Sequence, residues 1–278
     1  MSTYLKANYG ASRYRSLRPE YPPKFYDFIF EHFSEKPKLA VDVGCGTGQA
    51  TVEVAKRVVE AIGMDHSKAM VELATDMNQL PNLSFRVGDD HAFATEFAPD
   101  SVDLVTVAEA AHYFDLENFY KAAHTILKPN GLLVIWGYRN DVIQGEPEAT
   151  KIVAKYCYDP AYLGRYYDEG LKKFDKFYAD YKIPNDLFRD VLYHQNPATT
   201  LSDDELLELR RTTSLRDYLA YFRSFSSYQN WFDDHSDATP ENDIIAQMTQ
   251  EILSSTDLTL DSEITIKWHT VYMLGKNK

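Results

Sequence analysis

Residues 41–49 read Val-Asp-Val-Gly-Cys-Gly-Thr-Gly-Gln, and no other stretch constrains the fold as strongly. The apolar run 39–43 has the composition of a strand buried on both faces of a parallel sheet. Gly44, Gly46 and Gly48 then interrupt it at alternate positions, and residues 50–58 return to a helical pattern with Val54 and Val58 four apart. Strand, glycine turn and helix make the half-unit of an open α/β sheet, in which ligands bind beyond the carboxyl ends of the strands. Glycine lets the backbone approach such a ligand without a Cβ in the way. The spacing is G-x-G-x-G, not the G-x-G-x-x-G of dinucleotide folds, and no Lys-Ser/Thr pair follows to make a phosphate loop.

A second apolar run, 59–65, ends in Asp65, about twenty residues past the glycines, where a carboxylate accepts from ribose hydroxyls. Together the two segments resemble the first two motifs of the S-adenosylmethionine (SAM)-dependent methyltransferases of class I. The rival reading is a dinucleotide-binding oxidoreductase. The resemblance implies a Rossmann-like, seven-stranded, mostly parallel α/β sheet with helices on both faces, and SAM as the cofactor. In it Gly44, Gly46 and Gly48 pass under the methionine part of SAM, Asp42 accepts from loop amides, and Asp65 takes the ribose. Asp89 or Asp90, after the third strand, accepts from the adenine amino group or is simply an acidic turn.

Strands are expected at 38–43, 59–65, 83–88, 101–108 and 132–138, with helices at 22–35, 48–58, 67–78 and after Asp115. This alternation argues a parallel sheet covered on both faces. Residues 146–182 read as helical, 187–195 as a strand, 214–231 as one helix, and 263–274 as a last strand. A capping box is expected at Ser202–Glu205. The chain thus divides into a cofactor-binding core with an opening helix (1–145), a helical cap with one sheet strand near 187–195 (146–260) and a C-terminal strand (261–278), all within one methyltransferase domain. A cap inserted between the last strands is a natural place for substrate selection.

The formal net charge of -13, with no basic stripe, argues against nucleic acid as a partner. No apolar run approaches the ~20 residues that span a bilayer, and the first residues lack the apolar core of a signal peptide. Two cysteines and eight scattered histidines give no metal-binding spacing. A cytoplasmic, monomeric enzyme without metal is the expectation.

A narrower likeness rests on five segments. Residues 13–22 resemble the Tyr-x-x-x-Arg-Pro-x-Tyr-Pro opening of one methyltransferase group, and residues 107–114 its Ala-Glu-x-x-His-Trp segment, with Tyr113 in place of Trp. Residues 135–138, 222–228 and 268–276 are similar to the fungal trans-aconitate methyltransferases and the related enzymes that methylate cantharidin-type diacids. The resemblance implies methyl ester formation on a small-molecule carboxylic acid. Tyr14 and Arg18 then hold the methionine carboxylate, His112 faces the sulfonium or the substrate, and Trp136 and Tyr138 wall the pocket, unless Trp136 belongs to the core. An anionic substrate needs local donors, because the protein's own negative field is screened over ~8 Å. Arg139, Arg165, Arg216 and Arg223, with Tyr166 and Tyr228, are the candidates, Arg223 foremost, since guanidinium forks match carboxylates. Two rival readings stay open: a methyltransferase of a neutral or lipid-like molecule, and a SAM-binding protein without catalysis.

Overall fold

A computed structural model describes residues 18–197 and 205–278, so Tyr14 and most of the expected capping box lie outside the described residues. The glycine turn connects β1 (Leu39–Val43) to α2 (Gln49–Ala55), after an opening helix α1 (Pro23–Phe30). β2 (Glu60–Asp65), α3 (Lys68–Met77), β3 (Leu83–Val87), β4 (Val102–Ala108), α4 (Leu116–Ile126) and β5 (Leu127–Ile143) follow. Local chemistry sets the boundaries. Ser67 and Asp115 accept from the Met70 and Asn118 backbone N–H groups at the starts of α3 and α4.

Strand order is β3-β2-β1-β4-β5-β8-β6, parallel from β3 to β5 and antiparallel where β8 (Glu263–Asn277) joins. Eight strands are described, against the expected seven. β6 (Phe188–Asn196) pairs with one end of β8 and a short β7 (Arg210–Ser214) with the other, so two strands share one edge. The sheet therefore keeps seven positions in width.

Side chains alternate between two cores, as the two-residue period of a strand requires. Leu132, Val134, Trp136 and Tyr138 of β5 pack with α1, α2 and the cap, while Leu133 and Ile135 face α4 and the segment around Phe174. The cap is more broken than its apolar pattern suggests. α5 (Pro147–Tyr158) stops before Asp159-Pro160, a short α6 (Glu169–Lys173) follows, and Phe177 and Tyr178 have φ of 51° and 58°, outside any helix. The expected helix 214–231 is two, α7 (Leu215–Phe222) and α8 (Ser226–Asp234). At the break the Ser224 hydroxyl donates to the Tyr221 carbonyl, and Phe225 turns extended. α9 (Ile244–Ser255), capped by Asp243, packs against α5. Among the described residues no helix is long and apolar enough to cross a membrane.

Candidate active site

The glycine turn leaves β1 beneath an open cleft. Gly44 and Cys45 both donate backbone N–H bonds to the Met64 carbonyl, which ties the turn to the end of β2. Asp65 then receives the Gly46 N–H on Oδ2 at 2.8 Å and the Ser67 N–H on Oδ1 at 2.9 Å. A carboxylate has about four acceptor positions, so two stay available to a ligand in the cleft, which Asp65 lines. Burial pushes its carboxyl pKa up.

The three glycines differ in role. All have positive φ, but a Cβ on Gly46 would meet nothing within 4 Å, whereas one on Gly48 would strike the Phe85 ring at 2.6 Å. Gly44 and Gly46 line the cleft; Gly48 caps α2 and lies outside the lining. Asp42 departs from expectation. It is buried, takes the Thr51 and Thr106 hydroxyls at 2.6 and 2.7 Å in place of loop amides, and does not reach the cleft. Burial raises its pKa to about 6. It braces the turn from below.

The cleft adjoins two further spaces. On one side Gly44, His66, Tyr113 and Phe114 lead to a recess lined by Asp89 and Asp90. Asp89 Oδ1 accepts from the His91 and Ala92 backbone N–H groups, which hold its carboxyl below the usual range, and Asp90 Oδ2 accepts from the Asp115 N–H.

On the other side Arg18, Glu109, Tyr113 and Tyr138 are shared with a second cavity, roofed by the cap. Arg18 Nη1 donates to the Tyr138 hydroxyl at 3.3 Å, and its guanidinium lies 5.4 and 5.3 Å from the Tyr221 and Phe225 ring centres. His112 lines this second cavity, with Nδ1 3.0 Å from the Tyr178 hydroxyl and its ring stacked on Phe174. Arg139 also lines it, with its guanidinium 4.8 and 5.4 Å from the ring centres of the stacked Tyr158 and Tyr167. Burial raises the Tyr158, Tyr167 and Tyr221 pKa values, so their hydroxyls stay protonated as neutral donors.

Glu109, absent from the expected site residues, stands on the boundary of both cavities. Its φ of 56° is rare for a residue with a Cβ, and its Oε2 accepts from the Tyr138 N–H at 3.0 Å. Burial lifts its pKa to about 8, against weaker lowering by that bond and by Arg18 and Arg139. The sequence signal was there: like Asp65, it is an acid directly after a buried parallel strand. Tyr158, Tyr167 and Tyr221 had no such signal, because only tertiary packing separates them from other tyrosines.

Other expected residues are not brought to the site. Arg223 donates to both oxygens of the buried Asp243, at 2.8 and 3.1 Å, and the Tyr228 hydroxyl donates to the same carboxylate at 2.7 Å. Neither residue lines the cleft or the second cavity. This corrects the expectation of an anion clamp there; a buried carboxylate needs partners more than a distant substrate does. Arg216 pairs with Asp261 on the surface, and Arg165 bonds the Tyr166 hydroxyl outside both cavities. Trp136 is fully buried among Tyr21, Phe25 and Tyr26 and lines neither the cleft nor the second cavity; Tyr138, two residues on, lines both.

Residues 41–135 match the family described as "Methyltransferase domain". A putative type II methyltransferase from Anaeromyxobacter dehalogenans has the same fold, with a TM-score of 0.71 and 20% identity over 93% of this chain and 97% of that one. Residues 41–135 thus form a methyltransferase domain within a Rossmann-like α/β fold, and SAM is the cofactor. Along its whole length it is 28% identical to a probable S-adenosylmethionine-dependent methyltransferase of Saccharomyces cerevisiae, of which it covers 99%. It is 43% identical over 103 residues to a trans-aconitate 2-methyltransferase of Methylobacterium radiotolerans, a match covering 36% of this chain and 38% of that protein.

Proposed function

We propose that this enzyme methylates a carboxylate oxygen of a small di- or tricarboxylic acid, giving a methyl ester. One observation carries the reading. The second cavity, beside the cofactor cleft, is lined by Arg139 together with Tyr138, Tyr158, Tyr167 and Tyr221. Guanidinium and phenol donors suit carboxylates, and charge-assisted bonds are the strong ones. The partial match to a trans-aconitate 2-methyltransferase agrees with this class of acceptor.

The cleft fits SAM in its parts. The space in front of Gly46 admits backbone against ligand, Asp65 has acceptor positions for ribose hydroxyls, and Arg18 is placed for the methionine carboxylate. The cofactor supplies a methyl group made electrophilic by a positively charged sulfur. For the acceptor, a carboxylic acid of pKa near ~4 is already ionised at neutral pH, so no residue need remove a proton. The work left to the protein is to hold the acceptor oxygen in line and exclude water, and positioning of this kind is worth roughly 7–11 kcal/mol. Tyr138 and His112, at the end of the sheet, and Tyr221 and Phe225 of the cap close round that position.

Glu109 favours a second reading. A carboxyl with a pKa of about 8 on the boundary of the two cavities is suited to take a proton from a neutral hydroxyl or phenol. A radiolabelled methyl-transfer panel of di- and tricarboxylic acids, alcohols and phenols separates the two. The acid reading requires a product that releases methanol in mild alkali. Alkali-stable ethers formed from alcohols or phenols, with no turnover of acids, would overturn it.

A further inference from the structure

Arg139 faces two spaces. Tyr158, Tyr167, Leu171 and Arg139 itself line both the second cavity and a separate outer recess completed by Pro160, Gly164 and Asp175. The Arg139 side chain is 14% exposed, while that of Asp175 is 57% exposed. Its Nη1 donates to Asp175 Oδ1 at 2.5 Å and to the Leu171 carbonyl at 3.1 Å. A half-buried cation at the cavity wall is therefore held by a carboxylate from the solvent side.

We propose that Asp175 occupies Arg139 as an internal stand-in for a substrate carboxylate, and that the remote carboxylate of a diacid displaces it on binding. The proposal rests on the carboxylate reading above. The planar guanidinium, packed beside the stacked Tyr158 and Tyr167 rings, has donors on more than one edge, so it can exchange partners without leaving them. Asp175 loses little on release, because it is exposed and regains water. A substrate carboxylate gains more, because it reaches the same cation from the enclosed side, where water competes less. The exchange also makes binding selective. An acid with a single carboxylate, held at the cofactor end, cannot reach Arg139 and leaves the ion pair intact. A diacid exchanges one anion for another, so the site avoids an unpaired buried cation in either state.

The test is calorimetric titration of the protein saturated with S-adenosylhomocysteine, using glutarate as dianion and monomethyl glutarate as monoanion. Asp175→Asn should tighten glutarate about three- to tenfold and change monomethyl glutarate less than twofold. Arg139→Met should weaken glutarate about tenfold or more, and adding Asp175→Asn to it should then have no effect. Equal tightening of both ligands, or tightening that persists with Arg139→Met, would show only the loss of one negative charge and overturn the exchange. Unchanged glutarate affinity in Asp175→Asn overturns it as well. Failure of the wild type to bind either acid, while it binds S-adenosylhomocysteine, defeats the carboxylate reading itself and is a distinct result.

Discussion

Glu109, just past the end of β4, and Tyr138 of β5 are joined by the Tyr138 backbone N–H, which donates to Glu109 Oε2 at 3.0 Å. Both residues line both cavities, so this bond fixes the wall between the two. Gly137 lets the carboxylate lie flat against β5, since a Cβ there would come within 2.6 Å of Oε2.

Stability of the ligand-free enzyme should fall with pH because of Glu109. Its pKa rises from an ordinary 4.5 to about 8 on folding. Between those values the folded state holds the proton more tightly, so stability is full below about 4.5 and is lost as pH rises through about 8. Glu109→Gln keeps an acceptor for the Tyr138 N–H and removes the titration. Denaturant melts at pH 5 and pH 9 should show the variant gaining on the wild type by roughly 1–3 kcal/mol at the higher pH. Asp42 titrates in the same direction but is common to both proteins. A constant difference between wild type and variant would mean that Glu109 is ionised throughout.

Gly46→Ala and Gly48→Ala should fail differently. Both residues have φ above +50°, which costs roughly 1–2 kcal/mol once a Cβ is present. At Gly46 the new methyl points into open cleft space, so affinity for SAM should drop tenfold or more with only that modest loss of stability. At Gly48 it meets Phe85, and overpacking adds about 1–3 kcal/mol of destabilisation. Paired thermal melts and SAM titrations check both; equal loss of SAM affinity in the two variants would contradict the assignment of Gly46 to the ligand face.

Asp65→Ala should weaken SAM by about 1–3 kcal/mol, the scale for a lost hydrogen bond to a charged group. Calorimetry on a variant shown to be folded is the measurement. Unaltered affinity would leave Asp65 with the loop bonds to Gly46 and Ser67 as its only role.

Arg223→Met should destabilise the fold and leave acceptor choice unchanged. It strands Asp243, which is fully buried and keeps only the Tyr228 hydroxyl and the Ala246 N–H. Breaking such a pair costs about 3–5 kcal/mol. Urea unfolding gives the loss directly, and a methyl-transfer panel run well below the melting temperature should keep the wild-type order of preference. A changed order would return Arg223 to the acceptor site.

These cases mark what a sequence can and cannot convey. The strand–turn–helix from Leu39 to Ala55, the acid at Asp65 and the cap at Asp115 are legible because strand period, glycine turn and N-cap act within a few residues. That Arg18 and Tyr138 lie beside the cleft is legible by resemblance, and that Arg139 lines the second cavity by chemistry alone. Arg223 misled because its partner Asp243 lies twenty residues on and is brought back only by packing of α7, α8 and α9. Trp136, open in the sequence between pocket wall and core, lies in the core for a related reason. Strand alternation sends residues 136 and 138 to the same face, but α1 covers the first and leaves the second at the cleft. The continuous helix expected over 146–182 failed at Asp159-Pro160 and at the left-handed Phe177 and Tyr178, where an apolar stripe is buried without helical backbone.

The place of β8 has a consequence for how the chain comes together. β8 is translated after β5, β6 and β7, yet it lies between β5 on one side and β6 and β7 on the other. As the chain emerges, β1 to β5 can pair in turn with strands already made. β6 and β7 have no partner at all until β8 arrives, and the outer edge of β5 stands open meanwhile. Unpaired edges invite wrong partners, and pairings distant in sequence form slowly. The half that carries the glycine turn is thus an early product of synthesis, while the edge formed by β6 and β7 waits for one late strand.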